Sequence, residues 1–401
     1  MSKNFWEIWE INLNKKFSQN FYFIILQTMS KKVTPMNLYR NGIDLLNSTP
    51  DKKPLAAEKF KTAADQGLSI AMYNYAQMLY KGDGIPIDKN NASIYYKKAA
   101  DKGIVLAMFN YAVMRFKGDG IETDINETIK YLKMAIAKGD AESMNFYAHL
   151  LYHGDGIEPN KQEAAKYYER AANKGNVDSM YHYALLLFKG DDITANKKKA
   201  IQFFKKASEE GHSEAMYHYA HALFNGDGIS EDKEKAIHYY EHSANSGIVD
   251  AMYEYALLLD SGDFIGQDKQ KAALFFMKAA NKGHVDAMFH FAKLIFNGEG
   301  VRQNKKVAAD FFNKAADCGH VDAMFHYAEM LENGDGVDED KEKAAIYYKK
   351  AADEGNTSAM CKYGHLIENS DENKEEAERY LQKAANKEID DVLNCLDNWL
   401  L

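Results

Sequence analysis

Three cysteines in 401 residues, Cys318, Cys361 and Cys395, are an odd number gathered late in the chain. They build no disulfide framework, which separates the chain from cysteine-stapled secreted scaffolds and fits a reducing, cytoplasmic setting. An excess of positive charge is missing too: 50 lysines and arginines face 59 aspartates and glutamates, a net charge of -9. The lysines are interleaved with acids, so no basic stretch exists to meet a phosphate backbone, and nucleic acid is not an expected partner. Long apolar runs are absent as well. The run from Phe21 to Leu26 is six residues long, too short to cross a bilayer. With Glu7 and Glu10 upstream and no small-residue cleavage site, it also makes a poor secretory signal. Activated nucleophiles are wanting: no serine, cysteine or lysine sits in a motif that would raise its reactivity.

What the chain has is repetition. AMYHYAHALFNGDGI at 215–229 returns as AMFHYAEMLENGDGV at 323–337, three steps of 36 residues later. Methionine keeps that beat at Met72, Met108, Met144, Met180, Met216, Met252, Met288, Met324 and Met360. Glycine keeps it from Gly67 to Gly355, and a second glycine series runs from Gly82 to Gly334 before Ser370 interrupts it. An unbroken internal period turns the length into one array of repeats instead of two or three globular domains.

Each unit reads as a helical hairpin. Ala71, Met72, Tyr75, Ala76 and Leu79 form an apolar stripe at helical spacing, and Gly82-Asp83-Gly84 follows at once, a glycine past the helix end supplying the left-handed turn. Ala92, Tyr95, Tyr96, Ala99 and Ala100 form a second stripe that Gly103 ends. Small residues recur at the Ala76 and Ala99 positions, varied only to Gly364 and Ser243, so two helices can approach closely while aromatics at the Tyr75 and Tyr95 positions fill between neighbours. One hairpin cannot bury both stripes, whereas a stack can.

The pattern A-M-Y-x-Y-A-x-x-L-x-x-G-D-G-I followed by D-K-x-K-A-x-x-Y-Y-K-K-A-A-D-K-G resembles the Sel-1-like repeat, a relative of the tetratricopeptide repeat, over about residues 35–387. The resemblance implies an all-α, right-handed superhelical solenoid of about ten helix-turn-helix repeats of 36 residues with a C-terminal capping helix. Departures are few. Tyrosine or phenylalanine replaces the tryptophan often found ahead of the paired alanines of the second helix, and Asp192 and Phe264 replace the second turn glycine. A bulky residue at positive φ is costly, so the turn at Phe264 is expected to relax.

The ends divide the chain into three parts. Residues 1–33 match no repeat; Phe5, Trp6, Ile8 and Trp9 lie there, and Met29 is a second candidate start. The repeats occupy 34–387, beginning with a degenerate hairpin made of Pro35 to Asn47 and Leu55 to Gly67. Residues 388–401 carry Val392, Leu393, Leu396 and Trp399 on one face and are expected to form a closing helix.

Candidate chemistry reduces to packing at most positions. The GDG turns lack the alternating ligands of an EF-hand and the GxxxxGK of a phosphate loop, so they read as helix caps. His182, His218, His290 and His326 share one repeat position, yet neighbouring hairpins stand roughly 10 Å apart, and zinc ligands must come within about 2.1 Å of one ion. His149 and His153, four apart on one helix, lack a third ligand, and His153 suits the helix C-terminus. No metal and no cofactor is expected. The methionine column sits on the apolar stripe and reads as core.

One stripe remains. Positions equivalent to 70, 74, 77 and 81 share a face of each first helix and vary most between copies. His182, His218, His221, Glu254, His290, Lys293, His326 and Glu329 stand on it as candidate contacts for a partner, a face expected to be replaceable without loss of stability. By resemblance the first helices line a concave groove, which implies a non-catalytic scaffold or adaptor for a partner protein or extended peptide, with no small-molecule substrate. The same resemblance includes adaptors of ubiquitin-ligase complexes in endoplasmic-reticulum protein degradation, a luminal role that the missing signal argues against. It also includes cysteine-rich bacterial relatives that bind or hydrolyse β-lactams, whose serine-lysine motif and cysteine pairing are absent here.

Overall fold

A computed structural model describes residues 34–368 and 373–400; the extension 1–33 and its aromatic residues lie outside the described residues. Twenty α-helices and no strand occur among the described residues, and they pair into hairpins. The first hairpin joins Pro35–Leu46 to Lys53–Asp65 through a 3-10 turn, Pro50–Lys52. Nine repeats follow, from Ser69–Lys81 with Lys89–Asp101 down to Thr357–Ile367 with Lys374–Leu400. The C-terminal segment is helical, and it continues the last second helix without a break. The residues belong to two compact units, Met1–Ser179 and Met180–Leu401.

Local sequence sets the helix ends. The second helices from Lys89–Asp101 to Lys341–Asp353 open on an aspartate or asparagine whose side chain accepts the backbone N–H three residues on, at 2.8–3.1 Å, as Asp88, Asp232, Asn304 and Asp340 do. The first helices from Ser69–Lys81 to Val321–Asn333 end on a left-handed glycine: Gly82 has φ 72° and donates its N–H to the Met78 carbonyl. Where the second turn glycine is replaced, the chain uses two solutions. Asp192 adopts φ 57°, the only non-glycine with positive φ among the described residues. At Phe264 the turn relaxes out of the left-handed region, and the exposed ring receives the Lys233 ammonium at 4.4 Å.

Packing follows from the small-residue columns. Ala76, Ala112 and Ala148 in the first unit, and Ala184, Ala220, Ala256, Ala292 and Ala328 in the second, are wholly inaccessible, as are the facing Ala99, Ala135, Ala171, Ala207, Ser243, Ala279, Ala315 and Ala351. Of the nine methionines in phase only Met216 is not buried. The aromatic pair expected between neighbours meets inside each hairpin instead. Tyr75 and Tyr95 lie edge to face at 4.9 Å, and the same contact recurs at Tyr111–Tyr131, Tyr147–Tyr167, Tyr255–Phe275 and Tyr363–Tyr380. Such pairs contribute about 0.5–1.5 kcal/mol each beyond area burial.

Successive hairpins are joined by polar contacts thirty residues apart in sequence. The first residue of a second helix pairs with the acid between the turn glycines of the next hairpin: Lys53–Asp83 at 2.6 Å and Lys89–Asp119 at 2.7 Å in the first unit. Lys197–Asp227, Lys269–Glu299 and Lys305–Asp335 do so in the second. The tyrosine hydroxyl of the second helix reaches back to an aspartate of the hairpin before it, as in Tyr95–Asp65, Tyr131–Asp101 and Tyr347–Asp317. The ion pairs are half exposed and contribute little each. Their geometry brings the turn backbone against the preceding helix, and the second glycine allows that approach.

A Cβ at Gly336 (φ 78°) would stand 2.5 Å from the Lys305 carbonyl carbon, while one at Gly319 (φ 94°) meets nothing within 4 Å. Both Gly→Ala changes carry backbone strain of about 1 kcal/mol. Gly336→Ala is therefore expected to lower the urea midpoint clearly more than Gly319→Ala; equal effects would show that the turn does not dock as closely as described. Ala256→Leu, which overpacks the helix contact, is expected to cost about 1–3 kcal/mol in the same assay.

Candidate functional site

The eight residues of the variable stripe belong to the second unit, and the structure divides them. His221 and Lys293 are exposed, whereas His182, His218, Glu254, His290, His326 and Glu329 are partly buried. The reason is geometric. Position 74 lies between two core positions on its helix, and the second helix of the preceding hairpin reaches beneath it with a buried aromatic ring. His218 stacks on Phe204 at 5.0 Å and 18°, His290 on Phe276 at 5.1 Å and 12°, and His326 lies 5.4 Å from Phe312. His182 stands 5.2 Å from the Tyr181 ring. Burial pushes the His218 and His290 imidazoles below their ordinary pKa and the Glu254 carboxyl above its own. The expectation that the whole stripe is idle in folding is therefore corrected: its central column is part of the packing, and only its margin is free.

A second histidine column had no reading in the sequence. His212, His284 and His320 stand at the N-caps of first helices, where Nδ1 accepts the backbone N–H of Ala215, Ala287 and Ala323 at 3.2 Å. Their rings stack on Tyr181, Tyr253 and Phe289 at 4.3–4.5 Å. With Nδ1 accepting, the proton is on Nε2, which in His320 faces Asp286 at 3.6 Å and in His284 faces Asp250 at 4.0 Å. Asn356 does the same service, capping through Oδ1 and donating Nδ2–H to Asp322 at 3.1 Å. Asn176 repeats it on Glu142 in the first unit. The signal was present as an Asx or His residue at six of the nine equivalent positions, with Leu68, Ile104 and Ile248 at the other three, but histidine is an unusual cap and hid it.

Between consecutive first helices lie crevices. In the second unit one of about 330 Å³ is lined by Lys293, Phe296 and Asn297 on one helix, His326, Glu329, Met330 and Asn333 on the next, and Phe312 below. It brings together three of the eight candidate residues, with His326 Nδ1 and Glu329 Oε2 in contact at 3.2 Å. The first unit holds a crevice of about 270 Å³ at the same repeat position, lined by Tyr73, Gln77, Tyr80 and Lys81, by Phe109, Asn110, Val113 and Met114, and by Tyr96. One location thus carries two different linings. His149 and His153 stack on each other at 5.3 Å, and among the described residues no group of three metal-ligating side chains is assembled.

The buried imidazole gives a pH dependence. His218 has its pKa lowered from 6.5 to about 4, chiefly by burial and to a lesser degree by His221 and Lys189. Stabilisation from the neutral ring is complete above pH 6.5 and lost as pH falls towards 4, because the unfolded chain takes up the proton first. His218→Phe keeps the stack and removes the titration, so its stability is expected to fall less steeply between those limits. Parallel curves for variant and parent would refute the burial of this ring.

The profile of the Sel1 repeat matches nine consecutive segments without a gap, 69–104, 105–140, 141–176, 177–212, 213–248, 249–284, 285–320, 321–356 and 357–388. No curated protein matches the chain. Among solved structures, the chain is similar to a protective antigen present in uropathogenic Escherichia coli strains displaying an SLR fold, with 26% identity and a TM-score of 0.52 over 86% of this chain and 82% of that one. It is also similar to a Sel1 repeat protein from Oxalobacter formigenes, with 24% identity and a TM-score of 0.57 over 82% and 93%. No helix of the described residues is long and apolar enough to cross a membrane. Helical repeat folds of this kind typically serve protein–protein interaction, and with nine contiguous repeats over most of its length the chain belongs to the Sel1 repeat family.

Proposed function

We propose that the chain is a non-catalytic adaptor that holds an extended segment of a partner protein along its layer of first helices. One observation carries this reading: the crevice between consecutive first helices recurs at the same repeat position in both units, one lining including Lys293, His326 and Glu329 and the other Gln77, Asn110 and Val113 at the equivalent places. Packing conserves the location and leaves the lining to vary, so each crevice presents its own side chains to a bound segment. The spacing agrees. Neighbouring helices stand roughly 8–10 Å apart and an extended strand advances about 3.3 Å per residue, so about every third side chain of a bound segment meets a crevice. In the crevice of the second unit, Phe296, Phe312 and Met330 supply an apolar floor, and Lys293 offers a charged rim.

A peptide-display library panned on the full chain is expected to yield enriched sequences. Their affinity should fall at least about tenfold with Lys293→Glu combined with Glu329→Ala and stay unchanged with Leu274→Ser, an exposed residue on the second-helix layer. Failure to enrich any sequence, or enrichment blind to the first-helix variants, overturns the reading.

A further inference from the structure

A polar triad joins second helices at several junctions of the array. Lys97 pairs with Glu127, which also accepts the Tyr111 hydroxyl at 2.8 Å. In the second unit Glu241, Lys271 and Tyr255 hold the equivalent places with mutual contacts of 2.7–2.8 Å, and Lys349, Glu376 and Tyr363 form the last such triad at 2.6 and 3.3 Å. Between the helices Lys269–Asn281 and Lys305–Asp317 all three members are apolar. Met277, Val307 and Phe291 stand 36 residues after Glu241, Lys271 and Tyr255. One such change is ordinary variation between repeats, whereas three at one junction remove the ion pair and the hydroxyl together.

A groove of about 620 Å³ lies at this junction, between the helix Lys269–Asn281 and the turn Gly300–Arg302 of the next hairpin. Ala273, Leu274, Met277, Phe291 and Val301 give it an apolar lining, and Leu274 is 43% exposed. Two charges of the rim are committed. Lys271 is bonded to Glu241 and Tyr255, and Asp268 caps its helix by accepting the Lys271 backbone N–H at 2.8 Å. The third is not: Arg302 is exposed and forms no ion pair or side-chain hydrogen bond among the described residues. Equivalent turn positions carry Pro86, Glu122, Glu158, Thr194, Ser230, Gly266 and Asp338, none of them basic. The uncommitted cation therefore coincides with the junction that has lost its polar triad.

We infer that this groove docks a segment of a partner protein in which a large apolar side chain stands next to a carboxylate. The apolar side chain covers Leu274, Met277 and Val301, and the carboxylate takes the guanidinium of Arg302, which directly follows Val301 in the turn. Arginine suits that partner, because its planar fork can hold a carboxylate through two N–H groups. A lipid tail is a poorer occupant: small-ligand sites bury most of the ligand's surface, and a groove with a half-exposed wall does not enclose one. The site belongs to the second-helix layer, so it stands apart from the crevices of the first helices. An array with both could join two partners.

The probe is a fluorescein-labelled peptide with a Leu-Phe-Glu core, read by fluorescence anisotropy on the full chain beside counterparts with glutamine for the acid and serine for both apolar residues. The acidic peptide is expected to bind at least about tenfold more tightly than either counterpart, as a charge-assisted pair on an apolar contact should. Arg302→Gln should abolish the preference for glutamate over glutamine while leaving the melting temperature unchanged, and Leu274→Ser should weaken the acidic peptide. Met277→Lys combined with Val307→Glu rebuilds across the junction the pair that Lys97 makes with Glu127, and it should abolish binding in a folded chain; if that variant unfolds, the two exposed substitutions decide. Lys293→Glu with Glu329→Ala, on the first-helix layer, is expected to change nothing. No binding of the acidic peptide, a glutamate preference that survives Arg302→Gln, or weakening by the first-helix variants overturns the groove. Displacement of the peptide by decanoate below its micelle-forming concentration, or a dimer of this chain lost with Arg302→Gln, names a different occupant and overturns the assignment to a partner segment.

Discussion

Two columns of small residues set the distance at which the helices of this protein pack. At the Ala76 and Ala99 positions no side chain extends beyond a methyl or hydroxymethyl group, and every one of these residues in the nine repeats is buried. Close approach there brings the paired aromatic rings edge to face and leaves each hairpin with an uncovered stripe. The next hairpin covers it. Polar contacts thirty residues apart then hold turn to helix, and they do so at the backbone because glycine occupies the second turn position. Stability in such an array is shared between hairpins and their interfaces instead of residing in one central core.

The same geometry governs the surface. A side chain at position 74 sits above the aromatic ring of the preceding second helix, so His218 and His290 become packed rings whose charge burial suppresses. A side chain at position 77 reaches the crevice margin, where Lys293 remains exposed. N-cap residues serve both ends of a contact, closing their own helix and holding an acid of the previous one. Variation between repeats therefore changes what each crevice presents while the spacing stays constant.

The sequence by itself determined the hairpin, its period of 36 residues, the glycine turns and the buried methionine and alanine columns, because these depend on local spacing and on the backbone freedom of glycine. It also marked Phe264 as a turn that must relax, since a bulky residue resists positive φ. Tertiary structure decided what spacing along one helix cannot express. Helical periodicity places His218, His290 and Lys293 on a common stripe, but the ring that lies under the first two and not under the third comes from another hairpin. The ring and acid contacts of the capping histidines and the thirty-residue latches likewise join residues distant in the chain, and their partners were settled only when the hairpins stacked.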